Sequence, residues 1–453
     1  MPALPLRLFR SAWVLPVAAP PFRQGAILVD GAGRIAAVGP EAAIEPPPGA
    51  EIVELGEAVL LPGLVNVHAH PELALFRGAL EGLRFRDWIL RLVGAKRAAL
   101  GEAEYAVAAR WTMVESLRAG ITTVAATEST GAAMGALREA GMRGIVYREV
   151  FGPDPARAEE AIAELRRALG PLRAEEGDLV RVGISPHAPF TVSDPLYRAT
   201  AEYALAEALP LAVHASESEA ERALVCDGGG DFAPGLRARG IATPPRGKSP
   251  LEMLERLGIL RTRPLVVHCV RLAGDDISRL AESGSAVAHC PIANARLGHG
   301  VAPYLEMRDA GIRIGLGTDS VGSNNRLDLL EEARTASLLQ RAIHADAEIL
   351  DGEELLRLCT VEGARTLGLA ERIGTLEPGK DADLCAVSLR GAHVVPVHDP
   401  VAALFHSARG SDVTLTVVRG RILFQGGRVL SLNEAGLRSE LERAASLLRE
   451  HLG

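Results

Sequence analysis

Val65-Asn66-Val67-His68-Ala69-His70 follows the turn signal Leu61-Pro62-Gly63 and reads as a short apolar strand that ends in two histidines. Side chains alternate across a strand, so residues i and i+2 share a face. His68 and His70 can therefore reach one metal ion from one side through neutral imidazole nitrogens. Alone the pair is a weak sign, because two surface or capped histidines leave the same trace. What decides is whether other strand ends supply further ligands.

Outward from this stretch, residues 60–375 alternate short apolar runs with longer amphipathic stretches. The runs are Leu64–His68, Ile121–Ala125, Gly144–Glu149, Val180–Ile184, Leu211–His214, Leu265–His268, Ala286–His289 and Ile312–Gly317. Between them lie helical patterns such as Ala103–Arg118, Ala156–Leu169, Asp194–Glu207 and Asp276–Glu282. Eight β–α units predict an α/β fold, a (β/α)8 TIM-type barrel with its helices outside. The flanks are different. Ala26–Asp30, Ile35–Val38 and Ile52–Leu55 before the barrel, and Ala382–Val387, Val413–Val418 and Ile422–Phe424 after it, are strand-like runs between Gly and Pro clusters. The expected organisation is a barrel over 59–372 and a small composite β-sandwich from 1–58 and 373–453, with a closing helix over Glu434–Leu452. The connection from Ser216 to Pro264, which contains Gly228-Gly229-Gly230, is too long for an ordinary loop and is expected near the site.

Composition removes several classes of function. A net charge of −8 argues against a nucleic-acid surface. No apolar stretch of ~18 residues exists to span a membrane. The opening MPALPLRLFRSAWVLPVAAP is broken by Pro16 and followed directly by strand-like sequence, and is read as folded protein rather than a secretory leader. The five cysteines (Cys226, Cys269, Cys290, Cys359, Cys385) form no C-x-x-C pair and are expected as reduced thiols. A soluble cytoplasmic protein is the expectation.

In such a barrel the site lies at the C-terminal ends of the strands. There strand 1 delivers His68 and His70, strand 4 leads to His187, strand 5 to His214, strand 6 to His268, strand 7 to His289 and strand 8 to Asp319. Each singly is more readily a satisfied histidine or a cap, but all of them at one rim are hard to explain as packing. Three histidines and a carboxylate with an open position suit one catalytic divalent metal, Zn²⁺ first and Fe²⁺ second. His68, His70, His214 and Asp319 are assigned as its ligands. Lys96, Lys248 and Lys380, the only lysines, lie off strand 4, which favours a single metal over a lysine-bridged pair. Glu217 falls three residues after His214, where an unpaired carboxylate could shuttle protons. Its competing reading is a first-turn acid, since Ser216 and Glu219 have capping-box spacing.

Together these segments resemble the amidohydrolase superfamily, in its deaminase and chlorohydrolase branch. The resemblance rests on Leu61–Asn66 with His68-x-His70, Ser185-Pro186-His187-Ala188-Pro189, His214-x-x-Glu217, His268-Cys269 and His289-Cys290-Pro291. It rests also on Gly315-Leu316-Gly317-Thr318-Asp319-Ser320 and on Gly374–Asp383. It implies hydrolytic removal of an amino group from a heteroaromatic ring, with Glu217 protonating a ring nitrogen while His268 and Asp319 orient and deprotonate the attacking water. His187 would contact the substrate, with Arg148, Glu72 and His289 as further substrate-binding candidates. For Glu72 the alternative is a rim acid paired with Arg77; for His289 it is a loop anchor. Within the branch, His70-Pro71-Glu72-Leu73 with Arg77-Gly78, the pair Phe85 and Trp88, and the stretch from Glu217 through Phe232 to Ser249-Pro250 resemble enzymes acting on aminodeoxyfutalosine, a 6-aminopurine nucleoside of menaquinone biosynthesis. Cys290-Pro291-Ile292-Ala293-Asn294 departs from the Cys-Pro-Arg-Ser-Asn common among those relatives. A small-molecule substrate and a homodimer are implied. The rival expectations are guanine deaminase, triazine chlorohydrolase or cyclic amidase chemistry on the same metal site, and a catalytically silent scaffold.

Overall fold

The computed structural model describes residues 4–451. The N-terminal segment supplies β1 (Arg7–Val14), β2 (Phe22–Val29), β3 (Ile35–Pro40), β4 (Glu51–Glu54) and β5 (Ala58–Pro62). The barrel strands are β6 (Leu64–Ala69), β7 (Ile121–Glu128), β8 (Arg143–Val150), β9 (Val180–Pro186), β10 (Ala212–Ala215), β11 (Leu265–His268), β12 (Ala286–His289) and β13 (Arg313–Leu316). They pair in parallel as two runs of four. Single bridges, Ile184 with Leu211 and Ala69 with Asp319, join the runs into a closed cylinder. All eight expected runs are therefore strands of a (β/α)8 barrel, and β7 and β8 extend beyond the expected ends.

Strand alternation sorts the barrel residues into two buried layers. Val65, Val67, Ile145, Tyr147, Ala212, Leu265, Val267, Ala286 and Ala288 form one cluster, which we read as the barrel interior. Val182, Val213, Val266, Val287, Ile314 and Leu316 pack outward with helix residues such as Leu137, Leu165 and Leu196.

The two terminal segments join as expected. β14 (Leu384–Ser388), β15 (Val413–Val418), β16 (Arg421–Gln425) and β17 (Arg428–Val429) continue from β5, giving a hydrogen-bonded order β17-β16-β15-β14-β5-β1-β2-β3, with β4 beside β1. β1, for which the short apolar runs predict no strand, lies centrally, pairing with β2, β4 and β5. The sheet is fastened to the barrel by a buried ion cluster. Arg143 at the start of β8 donates from Nε to Asp383 (2.8 Å) and from Nη2 to Asp381 (2.9 Å), and Arg372 donates to Asp381 (2.7 Å). The closing helix, Glu434–Arg449, buries Ala444 and Leu448 against Trp88, Leu92 and Ala108 of the helices Phe85–Ala99 and Glu102–Arg118. No helix among the described residues is long and apolar enough to cross a membrane.

Candidate active site

At the C-terminal mouth of the barrel, His68, His70 and His214 bring ligand nitrogens within 4.8 Å of one another. Asp319 Oδ1 stands 3.5 Å from Nε2 of both His68 and His70. His214 donates from Nδ1 to the His187 carbonyl (3.1 Å), and His68 Nδ1 faces Thr127 Oγ1 (3.3 Å). These outer contacts turn the two Nε2 atoms inward, to 3.3 Å from each other. Ring nitrogens fixed in this way are set to bind metal. Asp319 Oδ2 accepts from Ser323 Oγ (2.7 Å), leaving Oδ1 for the centre. Burial lowers the pKa of His68, His70 and His214, keeping them in the neutral form that ligates. Burial alone would raise Asp319, but the neighbouring His68, His70 and His268 outweigh it and hold the carboxyl well below its ordinary range. Three imidazole nitrogens and one ionised carboxylate on one point fit a divalent cation.

The strands deliver these groups by departing from regular geometry. Val65 and Val67 face inward, so strict alternation would turn His68 outward; the β6–β7 register shifts between Asn66 and Ala69 and re-aims it. The Asn66 carboxamide fixes the shift, accepting from the His68 and Thr318 amides and donating to Thr318 Oγ1 (2.7 Å). His268 (φ 77°), Asp319 (φ 55°) and Ser216 (φ 54°) sit in the left-handed region, which non-glycine residues rarely occupy and which clusters at functional sites.

Across from the ligand cluster lies a second buried group. Glu217 Oε1 is 3.6 Å from His268 Nε2 and 3.2 Å from His299 Nε2. His268 is held through Nδ1 by Asn294 Oδ1 (2.9 Å). Burial raises Glu217, but His268 and His299 offset this and keep its carboxyl below the ordinary value. The capping-box reading of Ser216 and Glu219 is not what forms. Ser218 is the N-cap of the helix Glu219–Asp227, its side chain accepting from the Glu221 amide. The Glu221 carboxylate in turn accepts from the amides of Ser216 (2.8 Å) and Glu217 (2.9 Å). Glu217 itself is left pointing into the cavity.

The cavity, about 530 Å³, is lined by His70, His187, His214, Glu217, His268 and Asp319 at its polar end. Phe85, Trp88, Phe151 and Phe190 line its apolar walls, with Glu72, Lys96, Ser129 and Glu149 opposite. The connection 216–264 borders it, contributing Glu217 and Arg239 to the lining. Phe232 stacks on Phe190 at 4.2 Å between ring centroids, and Phe85 packs edge-on to Phe190, Phe232 and His299.

Three expectations are corrected. Glu72 does not pair with Arg77, which bonds Glu115 instead; it receives Lys96 Nζ (2.6 Å) and both donors of Ser129. Arg148 does not line the cavity. Ile145 and Tyr147 face the barrel interior, so the inward-facing neighbour is Glu149 and Arg148 falls on the other face. His289 is also absent from the lining: Ala286 and Ala288 face inward, and its ring turns towards Tyr304, 6.0 Å away. Two residues were not anticipated, Glu149 and His299. His299 sits between Gly298 and Gly300, both left-handed, in a loop rather than at a strand end.

Residues 59–423 match the amidohydrolase family. The 5-methylthioadenosine/S-adenosylhomocysteine deaminase of Moorella thermoacetica is 33% identical over 433 residues, covering 94% of this chain and 96% of that protein. The crystal structure of a Xanthomonas campestris adenosine deaminase with bound zinc superposes with a TM-score of 0.84 at 28% identity, covering 99% of this chain and all of that one. Helicobacter pylori aminofutalosine deaminase shares the fold, with a TM-score of 0.78 at 19% identity over 92% of this chain and all of that one.

Proposed function

The chain belongs to the amidohydrolase family, as a hydrolase of C–N bonds, and from that premise we propose that it deaminates a 6-aminopurine nucleoside with a modified 5′ end, aminodeoxyfutalosine first among them. The observation that carries this reading is Glu217, a buried carboxylate flanked by His268 and His299 and facing the ligand cluster across the cavity. The names of the relatives, which act on methylthioadenosine, S-adenosylhomocysteine or adenosine, support the adenine nucleoside.

We assign zinc to His68, His70, His214 and Asp319, on their donor set and on the zinc of the Xanthomonas enzyme. A divalent ion there supplies, by Lewis acidity, a water acidic enough to attack at neutral pH. The chain's residues do the rest. Asp319 and His268 would orient the attacking water and take one of its two protons. Glu217, starting as the carboxylate, would take a proton from solvent as substrate binds and give it to the ring nitrogen, which makes the neighbouring carbon electrophilic. The proton held by His268 and Asp319 would pass to the 6-amino group, which leaves as ammonia, while the remaining hydroxyl proton returns to Glu217 as the carbonyl forms, so that a 6-oxopurine nucleoside remains. Ammonia, unlike chloride, must be protonated before it leaves, so a deaminase has the greater need of proton carriers at this place.

Glu217→Gln keeps the shape and loses the shuttle. It should retain one metal per chain and lower kcat by about 10²–10⁴-fold. Full turnover in that variant would remove Glu217 from the mechanism.

A further inference from the structure

The Glu149 carboxylate is 8% exposed, lines the cavity, and is used by nothing in the reaction above. Its Oε1 is buried without a hydrogen-bond donor. His187 Nε2 stands 3.9 Å from it, beyond hydrogen-bonding distance. The tautomer of His187 follows from its neighbours. Thr191 Oγ1 lies 2.7 Å from His187 Nδ1 and donates its only proton to the Ala188 carbonyl (3.1 Å). His187 Nδ1–H must therefore be the donor to Thr191, which leaves Nε2 as a bare lone pair. Burial and the neighbouring Glu72 raise the Glu149 carboxyl to about 8, so near neutral pH it holds a proton on one oxygen and can still accept on the other; Oε1 and His187 Nε2 converge on one spot with no other side chain bonded between them. Glu72, the other acid on this wall, is already saturated by Lys96 and Ser129.

We propose that Glu149 and His187 form a diol clamp, in which adjacent hydroxyls of the substrate sugar each donate one hydrogen bond, one to the unpartnered Glu149 carboxyl oxygen and one to His187 Nε2. The inference rests on the nucleoside reading and sharpens it, because it makes the vicinal 2′,3′-diol a specificity element. A cation at Glu149, His187 and His214, whose ligand atoms also cluster, is disfavoured. His214 Nδ1 is bonded to the His187 carbonyl and its Nε2 faces His68.

The test uses the full-length, metal-loaded protein and its Glu149→Gln and Glu149→Leu variants. Deamination is measured on aminodeoxyfutalosine, adenosine, 5′-deoxyadenosine and S-adenosylhomocysteine, on the 2′- and 3′-deoxy analogues of whichever is turned over, and on adenine. Metal content and melting temperature are recorded alongside. Wild type should prefer the diol-bearing nucleoside over its deoxy analogues by about 10- to 100-fold in kcat/KM, chiefly through KM. Glu149→Leu should abolish that preference while the folded variant still turns over the deoxy analogues and keeps one metal per chain; Glu149→Gln, which keeps an acceptor oxygen, should restore part of it. An equal loss on all substrates, no loss on any, or loss of a metal equivalent in Glu149→Leu overturns the clamp. Wild-type protein silent on every adenine nucleoside overturns the nucleoside reading itself, and the clamp with it.

Discussion

Glu221 never faces the cavity, yet its carboxylate accepts from the amides of Ser216 and Glu217 and so fixes the left-handed turn that aims Glu217 inward. Removing it leaves two buried amides unpaired, which costs about 1–3 kcal/mol each. Glu221→Ala should therefore lower both thermal stability and kcat while metal content stays at one per chain; unchanged kcat in the folded variant would show that the turn holds without it. At this scale the sequence is most informative where chemistry and strand ends coincide. His68, His70, His214, His268 and Asp319 are legible because metal-ligand residue types recur at the ends of apolar runs. Glu149 was hidden by its neighbour: Arg148 and Glu149 are adjacent in β8, and only the observed register says which faces inward. His299 lies between two glycines after a short helix, where no periodicity points to it.

Among the elements, the connection between β10 and β11 borders the cavity, to whose lining it gives Glu217 and Arg239. Gly228 has φ 66°, and a Cβ there would meet the Thr243 carbonyl at 2.1 Å, so the turn that folds the segment back needs glycine. The segment rests on the barrel through Phe232 and Phe190. Phe232→Ala removes that stack and should raise KM by about 10-fold with a smaller change in kcat, as expected when a cover loosens and the chemistry is intact. A KM equal to wild type would mean that the segment does not bear on substrate. The length of this connection marked it as a site element, whereas its aromatic contacts come from loops far apart in the chain. The Gly374–Asp383 stretch was legible as a motif and not as a device. Its aspartates bind Arg143, 240 residues from Asp383, and that pairing exists only once β8 meets the sheet. Arg143→Met leaves the buried Asp383 without its cation, while Asp381 keeps Arg372, and should cost about 3–5 kcal/mol, measured by denaturant unfolding; a loss under 1 kcal/mol would show that the cluster is not what couples barrel to sheet.

For the molecule as a whole, a closed barrel with a sheet built from both termini brings residues as distant as His68 and Asp319 into one polar cluster, joined at the bridge that closes the cylinder. The (β/α)8 pattern was readable because short, mostly apolar runs recur between longer amphipathic stretches. β1 was not, because its apolar residues are broken up by Arg7, Arg10 and the buried Ser11. Metal bound to the native state alone should stabilise it by about 4 kcal/mol at a concentration 1,000 times its Kd. Chelation should therefore lower the melting temperature of wild type and leave that of Asp319→Ala little changed; equal shifts in both would place the ion elsewhere. The most direct measurement of the central claim is ammonia release by zinc-loaded protein from aminodeoxyfutalosine, S-adenosylhomocysteine, 5′-deoxyadenosine, adenosine and guanine. The account predicts stoichiometric ammonia and a 6-oxopurine product from at least one adenine nucleoside, with Glu217→Gln slower by about 10²–10⁴-fold on the same substrate. Silence across all of them from protein carrying one metal per chain, or turnover of guanine alone, would contradict it.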